Sequence, residues 1–345
     1  MGRTTITDIA RAAQVSTATV DRALNGRRGV SAANRQRVFQ AAKDLGYLPS
    51  EGMFPLPSRP AHLEFLIPFG QNAFMNDIAR AISDFAATLP LVASCKVVMI
   101  DGIGPDTLIP ALDHLSLDTN GVGVIAIDHP RTREAIRRLH ASGIHVVTIA
   151  SDVLASPRAA YIGVENRIAG RTAGQLMGRL CCRKEGAIAL FVGSHAFHGH
   201  QEREGGFRAV MAEEFPRMRI LPAVETGEDS RRSRKGIETL LRTVPDLAGI
   251  YCVGAGRKGI VEALRTLPAA DRPFVILHDL TESSRSWLLD GLVDVVIDQN
   301  ARLVGEQAVI RLLGAIATSS PLLAARNIEP RIILRENIPA DERVA

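Results

Sequence analysis

The chain has 345 residues, 46% of them apolar and 23% charged, with a net charge of +4. That length suits two or three domains rather than one small one, and the composition is an ordinary globular balance with material for a large core. No apolar run approaches the roughly 18–20 residues of a membrane span, so a membrane partner is excluded. Met1 to Ala13 is polar and carries Asp8, with no apolar signal region before it, so a cytoplasmic location is expected. Cys95, Cys181, Cys182 and Cys252 show neither metal-ligand nor disulfide spacing. The adjacent pair Cys181 and Cys182 reads as helix packing.

The charge is unevenly placed. Residues 1–50 hold eight Lys/Arg against three acids, a net +5, so the remainder sums to −1. A compact basic module on a near-neutral body is the footprint of a phosphate-backbone binder. Three short helices are expected in it. Thr5 followed by Asp8 is a capping-box pattern, and Ile6, Ile9, Ala10 and Ala13 then share one face. Ser16 is a good N-cap for a second helix, with Val20, Ala23 and Leu24 inward and Asn25-Gly26 at its end. Ser31 caps a third helix with Val38, Ala41, Ala42 and Leu45 inward and Gly46 after it.

The first two helices with their tight turn make a helix-turn-helix. On the second, Thr17 and Asp21 form one outward row and Ala18 and Arg22 the next, both facing the major groove if the helix docks there. Arg22 has the fork for guanine N7 and O6, and Thr17 and Ala18 offer methyl contacts to thymine. Thr5, Thr7, Ser16, Ser31 and Asn34 lie near helix starts, where they can position phosphates. Thr19 and Asn25 complete the candidate set on this module.

These residues carry a resemblance. The patterns T-x-x-D-I-A, V-S-x-x-T-V, R-x-L-N-G, V-S and R-x-x-V-x-x-A-A-x-x-L-G-Y-x-P run in order from Thr5 to Pro49. They resemble the headpiece of the lac repressor (LacI) family of transcriptional regulators, and the resemblance implies that Thr17, Ala18 and Arg22 read bases. Two departures stand out. Position 21, usually small and polar in the family, is Asp, which either accepts from a cytosine amino group or orients Arg22. The hinge, where the family has a short helix that wedges a leucine into the minor groove, contains Gly52, Pro55 and Pro57. An interior proline costs a helix about 3 kcal/mol. The hinge is therefore either extended, with Met53, Phe54 or Leu56 as the wedge, or only a tether.

From Leu63 onward short apolar runs alternate with amphipathic stretches. The runs are 63–68, 96–100, 122–127, 145–150, 160–164, 187–192, 248–253, 274–277 and 293–297. Buried parallel strands with helical crossovers give this pattern, and nine runs exceed one comfortable sheet, so two doubly wound lobes are expected. The segments "VIAIDHP", "YIGVENRIAGRTAGQLM", "GHQEREGGF", "DLAGIYCVGAG", "ILHDLTESSR", "GLVDVVIDQN" and "LRENIP" are similar to the effector domain of the same family, which is like periplasmic sugar-binding proteins: two lobes, three crossovers, one cleft. The expected organisation is a small all-α helix-turn-helix headpiece (1–48), a Pro-rich hinge (49–61) and an α/β effector domain of periplasmic-binding-protein type I kind (62–345). Its first lobe is placed at about 62–158 plus 293–320, and its second at about 159–292 plus 321–340.

Ligands in such folds bind beyond the carboxyl ends of the strands. Asn72 and Phe74 after the first run, Asp128 after the third, Asp279 and Gln299 after the last two, and Arg203 in "REGGF", where the family places an arginine on ligand oxygens, are the candidate effector-binding residues. Carboxylate, guanidinium and amide groups suit hydroxyls, and a ring suits the C–H face of a sugar or polyol. Where the family often has Asn or Asp after "AGIY", this chain has Cys252, Val253 and Gly254, so one polar contact is absent.

Three other motifs compete. Gly254-Ala255-Gly256-Arg257-Lys258-Gly259 fits the dinucleotide pattern G-x-G-x-x-G and has Asp279 twenty residues on. It sits late in the chain, however, and Arg257 and Lys258 oppose a helix N-terminal dipole unless an anion sits there. His195, His198 and His200 cluster before Arg203, with no acid or thiol to complete a metal site at helical spacing. Trp287 reads as packing.

The sequence therefore points to a ligand-responsive repressor. It is expected to be a homodimer on a palindromic operator, without enzymatic activity, cofactor or metal. No heptad tail follows the last strand, so a coiled-coil tetramer is not expected. The runners-up are an oxidoreductase using the glycine loop and a solute-binding transport component. Whether the effector releases DNA or co-represses stays open.

Overall fold

A computed structural model describes residues 5–24, 30–45, 57, 60–69, 72–318 and 328–340. The expectations for Asn25, for Leu56 and for the hinge around it lie outside the described residues.

The headpiece is three helices, α1 (Ile6–Ala13), α2 (Thr17–Leu24) and α3 (Ala32–Asp44). Thr5 and Asp8 form the expected reciprocal capping box, which satisfies donors at the start of α1. Ser16 Oγ accepts from Thr19 N at 3.2 Å and Ser31 Oγ from Asn34 N at 3.2 Å, so each later helix starts on a hydroxyl cap. The small core is Ile9, Ala10, Ala13, Val20, Ala23, Val38, Ala41 and Ala42. Ile6 and Leu45, expected inward, are instead exposed. Arg35 donates to the carbonyl of Ala23 at 3.3 Å, tying α3 to the end of α2.

The larger domain begins with β1 (Ala61–Phe69), α4 (Ala73–Thr88), β2 (Val92–Asp101), α5 (Pro105–Asp113), β3 (Gly121–Val124), α6 (Pro130–Ala141), β4 (His145–Ile149) and β5 (Ala160–Ile162). These strands form an all-parallel sheet in the order β2-β1-β3-β4-β5. The chain then crosses into α7 (Asn166–Leu180), β6 (Gly186–Val192), α8 (His198–Glu214), β7 (Met218–Ile220), β8 (Val224–Glu225), α9 (Ser230–Thr243), β9 (Leu247–Cys252), α10 (Arg257–Leu264), β10 (Phe274–His278), α11 (Glu282–Leu289) and β11 (Val295–Asp298). It returns as α12 (Ala301–Thr318) and ends with β12 (Arg331–Ile333). The second sheet runs β12-β11-β10-β9-β6-β7, with β8 also on β6, and is parallel except for β12.

The sheet path corrects the expected lobe boundaries. β11 pairs with β10 and so belongs to the second lobe, not the first. β5 pairs with β4 and closes the edge of the first. The return to the first lobe is α12, which packs on α4, β3 and β4. A run buried on both faces states that it is a strand, not which sheet it joins. β7 and β8, of three and two residues, fall below what periodicity detects. Among the described residues no helix is long and apolar enough to cross a membrane.

The close crossing of α7 and α8 positions Arg203, which α8 carries. A Cβ on Gly170 of α7 would stand 2.0 Å from the carbonyl oxygen of Arg203, and one on Gly206 of α8 2.3 Å from that of Arg167. Glycine on both helices is what lets them touch backbone to backbone. Phe207 then stacks on Tyr251 of β9, centroids 4.6 Å apart, beneath the loops that end the second sheet.

Candidate functional site

On the headpiece, Thr17, Ala18 and Arg22 are exposed, while Val20 and Ala23 of the same helix are buried. Helix α2 thus turns the expected row outward. Thr5, Thr7, Ser16 and Ser31 are also exposed, and Thr19 and Asn34 are half-buried. The oxygens of Thr5, Ser16 and Ser31 serve as caps, and Arg37 donates to Asn34 Oδ1 at 2.5 Å. Asp21 is half-buried beside Arg22.

Between the lobes, at the carboxyl ends of the strands, lies a small cleft. The first lobe contributes Asn72, Phe74, Met75 and Ile125; the second contributes Phe197, His200, Arg203, Glu228, Asp279 and Gln299. Five of the six expected effector residues therefore meet. Free space is about 30 Å³, room for roughly one water, so a monosaccharide enters only if the lobes part. A larger groove of about 660 Å³ opens on the flank between α4 and the starts of α11 and α12. Half of its lining residues are charged, whereas the cleft gathers buried polar groups.

Those groups are tightly organised. Asn72, the N-cap of α4, accepts from Phe74 N and from Arg257 Nη2, both at 3.2 Å, and donates to Glu228 Oε2 at 3.3 Å. One amide therefore joins the first lobe to the start of α10 and to the loop before α9 in the second. Asp279 Oδ1 accepts from Gln299 Nε2 at 2.6 Å, and Oδ2 from Arg257 Nη1 at 3.3 Å. Burial pushes the Asp279 carboxyl up, with Arg257 and Arg203 pulling it back. Arg203 donates through Nε to Asn166 Oδ1 at 2.7 Å and through Nη1 to the Val253 carbonyl at 3.0 Å. His200 sits edge-on to Phe197, and burial, aided by Arg203, pushes its pKa down to about 3. Three cleft residues, Ala150, Glu228 and Asp279, hold positive φ of 59°, 64° and 68°. Such strain at non-glycine residues gathers where side chains must be aimed.

Asp128 is the residue that does not join. Its carboxylate is held by both arms of the Arg133 fork at 2.7 Å, and it does not line the cleft. A bidentate guanidinium occupies the oxygens that hydroxyls were expected to use. Its backbone N–H still reaches across the lobes to the carbonyl of Ala196, at 3.3 Å.

The competing motifs resolve into packing. Gly256 and Gly259 let α10 approach α9: a Cβ at Gly256 would stand 2.1 Å from Ser233 Oγ, and one at Gly259 1.8 Å from the Ser230 carbonyl. Arg257 does face an anion, the Asp279 carboxylate. The histidines diverge: His195 pairs with Glu204 at 2.7 Å and Glu225 at 3.4 Å, His198 with Glu202 at 3.5 Å, and His200 turns into the cleft. Acids therefore do stand beside two of them, contrary to the sequence expectation. Trp287 packs on the second-lobe core; Cys181 is buried at the end of α7, but Cys182 is exposed.

Residues 63–318 match the periplasmic binding protein domain, and residues 5–50 match the bacterial regulatory proteins of the lacI family. The chain belongs to the lacI family. A ribose operon repressor from Halalkalibacterium halodurans is 42% identical over 86 residues, 25% of this chain and 26% of the relative. Catabolite control protein A from Staphylococcus aureus is 25% identical over 208 residues, 60% of this chain and 61% of the relative. The matched stretches thus span about a quarter and somewhat under two thirds of those relatives. Among solved structures, an ABC transporter solute-binding protein from Burkholderia graminis, in complex with D-arabinose, superposes with a TM-score of 0.73 at 22% identity, covering 81% of this chain and 96% of that one. At that identity the likeness concerns the fold.

At this lacI-family cleft the sequence bore no sign of Glu228, and it marked His200 and Arg257 without placing them among the effector residues. Arg257 left a signal, a cation at a helix start that needed an anion. Glu228 left none, because it follows a two-residue strand.

Proposed function

We propose that this lacI-family protein is a ligand-responsive transcriptional repressor in the cytoplasm. It binds a palindromic operator as a homodimer and takes a sugar or related small polar effector in the interlobe cleft. The observation that carries the reading is the outward row Thr17, Ala18 and Arg22 on a basic three-helix unit, in one chain with a polar two-lobed cleft. Arg22 reads a guanine edge, Thr17 and Ala18 thymine methyls, and the exposed helix starts at Thr5, Thr7, Ser16 and Ser31, with Asn34, place phosphates. Asn25 and one of Met53, Phe54 or Leu56 are the further candidate contacts. In the cleft, Arg203, Asp279, Gln299 and Asn72 bond hydroxyls while Phe74 packs on an apolar face. The relative named as a ribose operon repressor supports the sugar class.

The mechanism is a population shift. A ligand that occupies the cleft favours a wider lobe angle, and with it a different headpiece spacing, only by its differential affinity for the two states. The test is selection of a duplex from random DNA by the full chain, followed by anisotropy titrations at several salt concentrations. The expected result is an imperfect palindrome whose log affinity falls linearly with log salt. A parallel thermal-shift screen of pentoses, hexoses, alditols and sugar phosphates should give at least one stabilising ligand that alters operator affinity. Absence of preference over random duplex, with and without those compounds, overturns the reading.

A further inference from the structure

Glu228 lies between β8 and α9 with a φ of 64°. The residue as a whole is half-buried, but its carboxyl end reaches inward, into a hollow that two glycines keep open. A Cβ at Gly193 would stand 1.6 Å from Glu228 Oε1, and one at Gly254 would stand 2.9 Å from the same oxygen and 2.7 Å from His200 Cε1. In that hollow the carboxylate receives two long hydrogen bonds, both 3.3 Å, from Ala255 N to Oε1 and from Asn72 Nδ2 to Oε2. A carboxylate offers about four acceptor positions, so capacity remains. In the same cleft, the buried Gln299 Oε1 has no hydrogen-bond partner among the described residues. Asp279 also accepts one bond on each oxygen, but one of them is a 2.6 Å bond from Gln299 and the other is an ion pair with Arg257. The least committed acceptors in the cleft are therefore Glu228 and Gln299, and they call for donors.

Charge narrows the class. Two carboxyl groups, Glu228 and Asp279, both pushed up by burial, face two guanidiniums, Arg203 and Arg257, and burial keeps His200 neutral. The formal charges of the cleft balance, so an added ligand charge would be a net buried charge, which is costly.

We propose that Glu228 is the specificity-determining acceptor of this cleft, reading adjacent hydroxyls of an uncharged sugar or polyol at the place that Gly193 and Gly254 leave open. This rests on the effector reading above. The experiment is isothermal titration calorimetry of the full chain, wild type against Glu228→Gln, Glu228→Gly and Gly193→Ala. The probes are D-ribose, D-arabinose, D-glucose, D-galactose, ribitol and mannitol, with D-glucosamine and D-galactosamine as charged counterparts. A neutral member should bind wild type, and Glu228→Gln should weaken it at least tenfold. Monodeoxy analogues of that sugar should lose affinity for wild type but lose little more in Glu228→Gln. Gly193→Ala, which removes the room for the carboxylate, should reproduce the loss, and Glu228→Gly, which relieves the backbone strain, should bind no better than Glu228→Gln. Melting curves confirm that each variant is folded. Equal affinity in wild type and Glu228→Gln overturns the role of Glu228 and leaves the effector reading standing. Preference for the amino sugars overturns the uncharged class. Binding of no probe by wild type defeats the effector reading and this inference with it.

Discussion

Gly170 and Gly205 make a paired test of how the second lobe is built. Gly170 lies where α7 meets α8, and an added Cβ would stand 2.0 Å from the backbone oxygen of Arg203. An ordinary carbon–oxygen contact begins at ~3.3 Å, so the helices must part by about 1.3 Å. The obstacle is main chain and cannot swing aside. Such a gap forfeits much of the dispersion contact of Ala173, Met177, Phe207 and Val210, which are buried on these two helices. Overpacking of this kind costs about 3 kcal/mol, the upper part of its usual range. Gly205, on α8 next to the tightly packed Gly206, is exposed, and beyond its own helix backbone a Cβ added there would meet nothing within 4 Å. Gly205→Ala should therefore gain the helix term of about 0.5–1 kcal/mol. Urea unfolding followed by the fluorescence of Trp287, the one tryptophan of the chain, reports the second lobe directly. Gly170→Ala should also weaken effector binding, because Arg203 moves with α8. If Gly170→Ala unfolds within about 0.5 kcal/mol of wild type, or if both variants behave alike, backbone contact is not what sets this crossing.

Arg22→Ala should weaken specific operator binding by about 1–3 kcal/mol and relax one base position; unchanged affinity and sequence preference by anisotropy would remove Arg22 from the reading helix. His195 and His200 should titrate on opposite sides of the ordinary value of 6.5. Burial pulls His195 down, but the carboxylates of Glu204 and Glu225 outweigh it and raise its pKa, whereas burial lowers His200 to about 3. Imidazole resonances in NMR test this, and a His200 signal that moves near pH 6 refutes the buried placement. A depressed pKa means that the unfolded chain binds the proton first, so His200 contributes stability that is present above about 6.5 and lost as pH falls toward 3. His200→Phe should flatten stability across that window. Glu64, buried in β1, accepts from Ser116 N and Thr119 Oγ1, both at 2.7 Å, with Lys96 at 3.5 Å. Burial pushes its carboxyl up, but those partners together hold it below the ordinary range. Glu64→Ala strands two donors and should cost about 2–4 kcal/mol. It should also remove a contribution that is present above the unfolded value and lost as pH falls through the lowered one, which denaturation at two pH values would reveal.

Local chemistry was legible in the chain itself. The Thr5–Asp8 box and the caps at Ser16 and Ser31 needed only short-range hydrogen bonding, and nine apolar runs marked nine strands, because these signals depend on neighbours a few positions away. The cleft was half legible: Asn72, Phe74, Arg203, Asp279 and Gln299 converge because all but Arg203 follow strand ends, and Arg203 stood in a familiar motif. Asp128 follows a strand end too, yet Arg133 five residues on captures its carboxylate, and a pattern of residue types does not record which partner a charge takes. What only the tertiary structure decided concerns distant pairs. The sheet that β11 joins, the approach of α9 and α10 through Gly256 and Gly259, the Arg257–Asp279–Gln299 network and the hollow holding Glu228 all arise from backbone surfaces brought together across tens of residues. Packing at that range is set by shape and by the cost of burying a polar group without a partner, and neither leaves a period in the sequence.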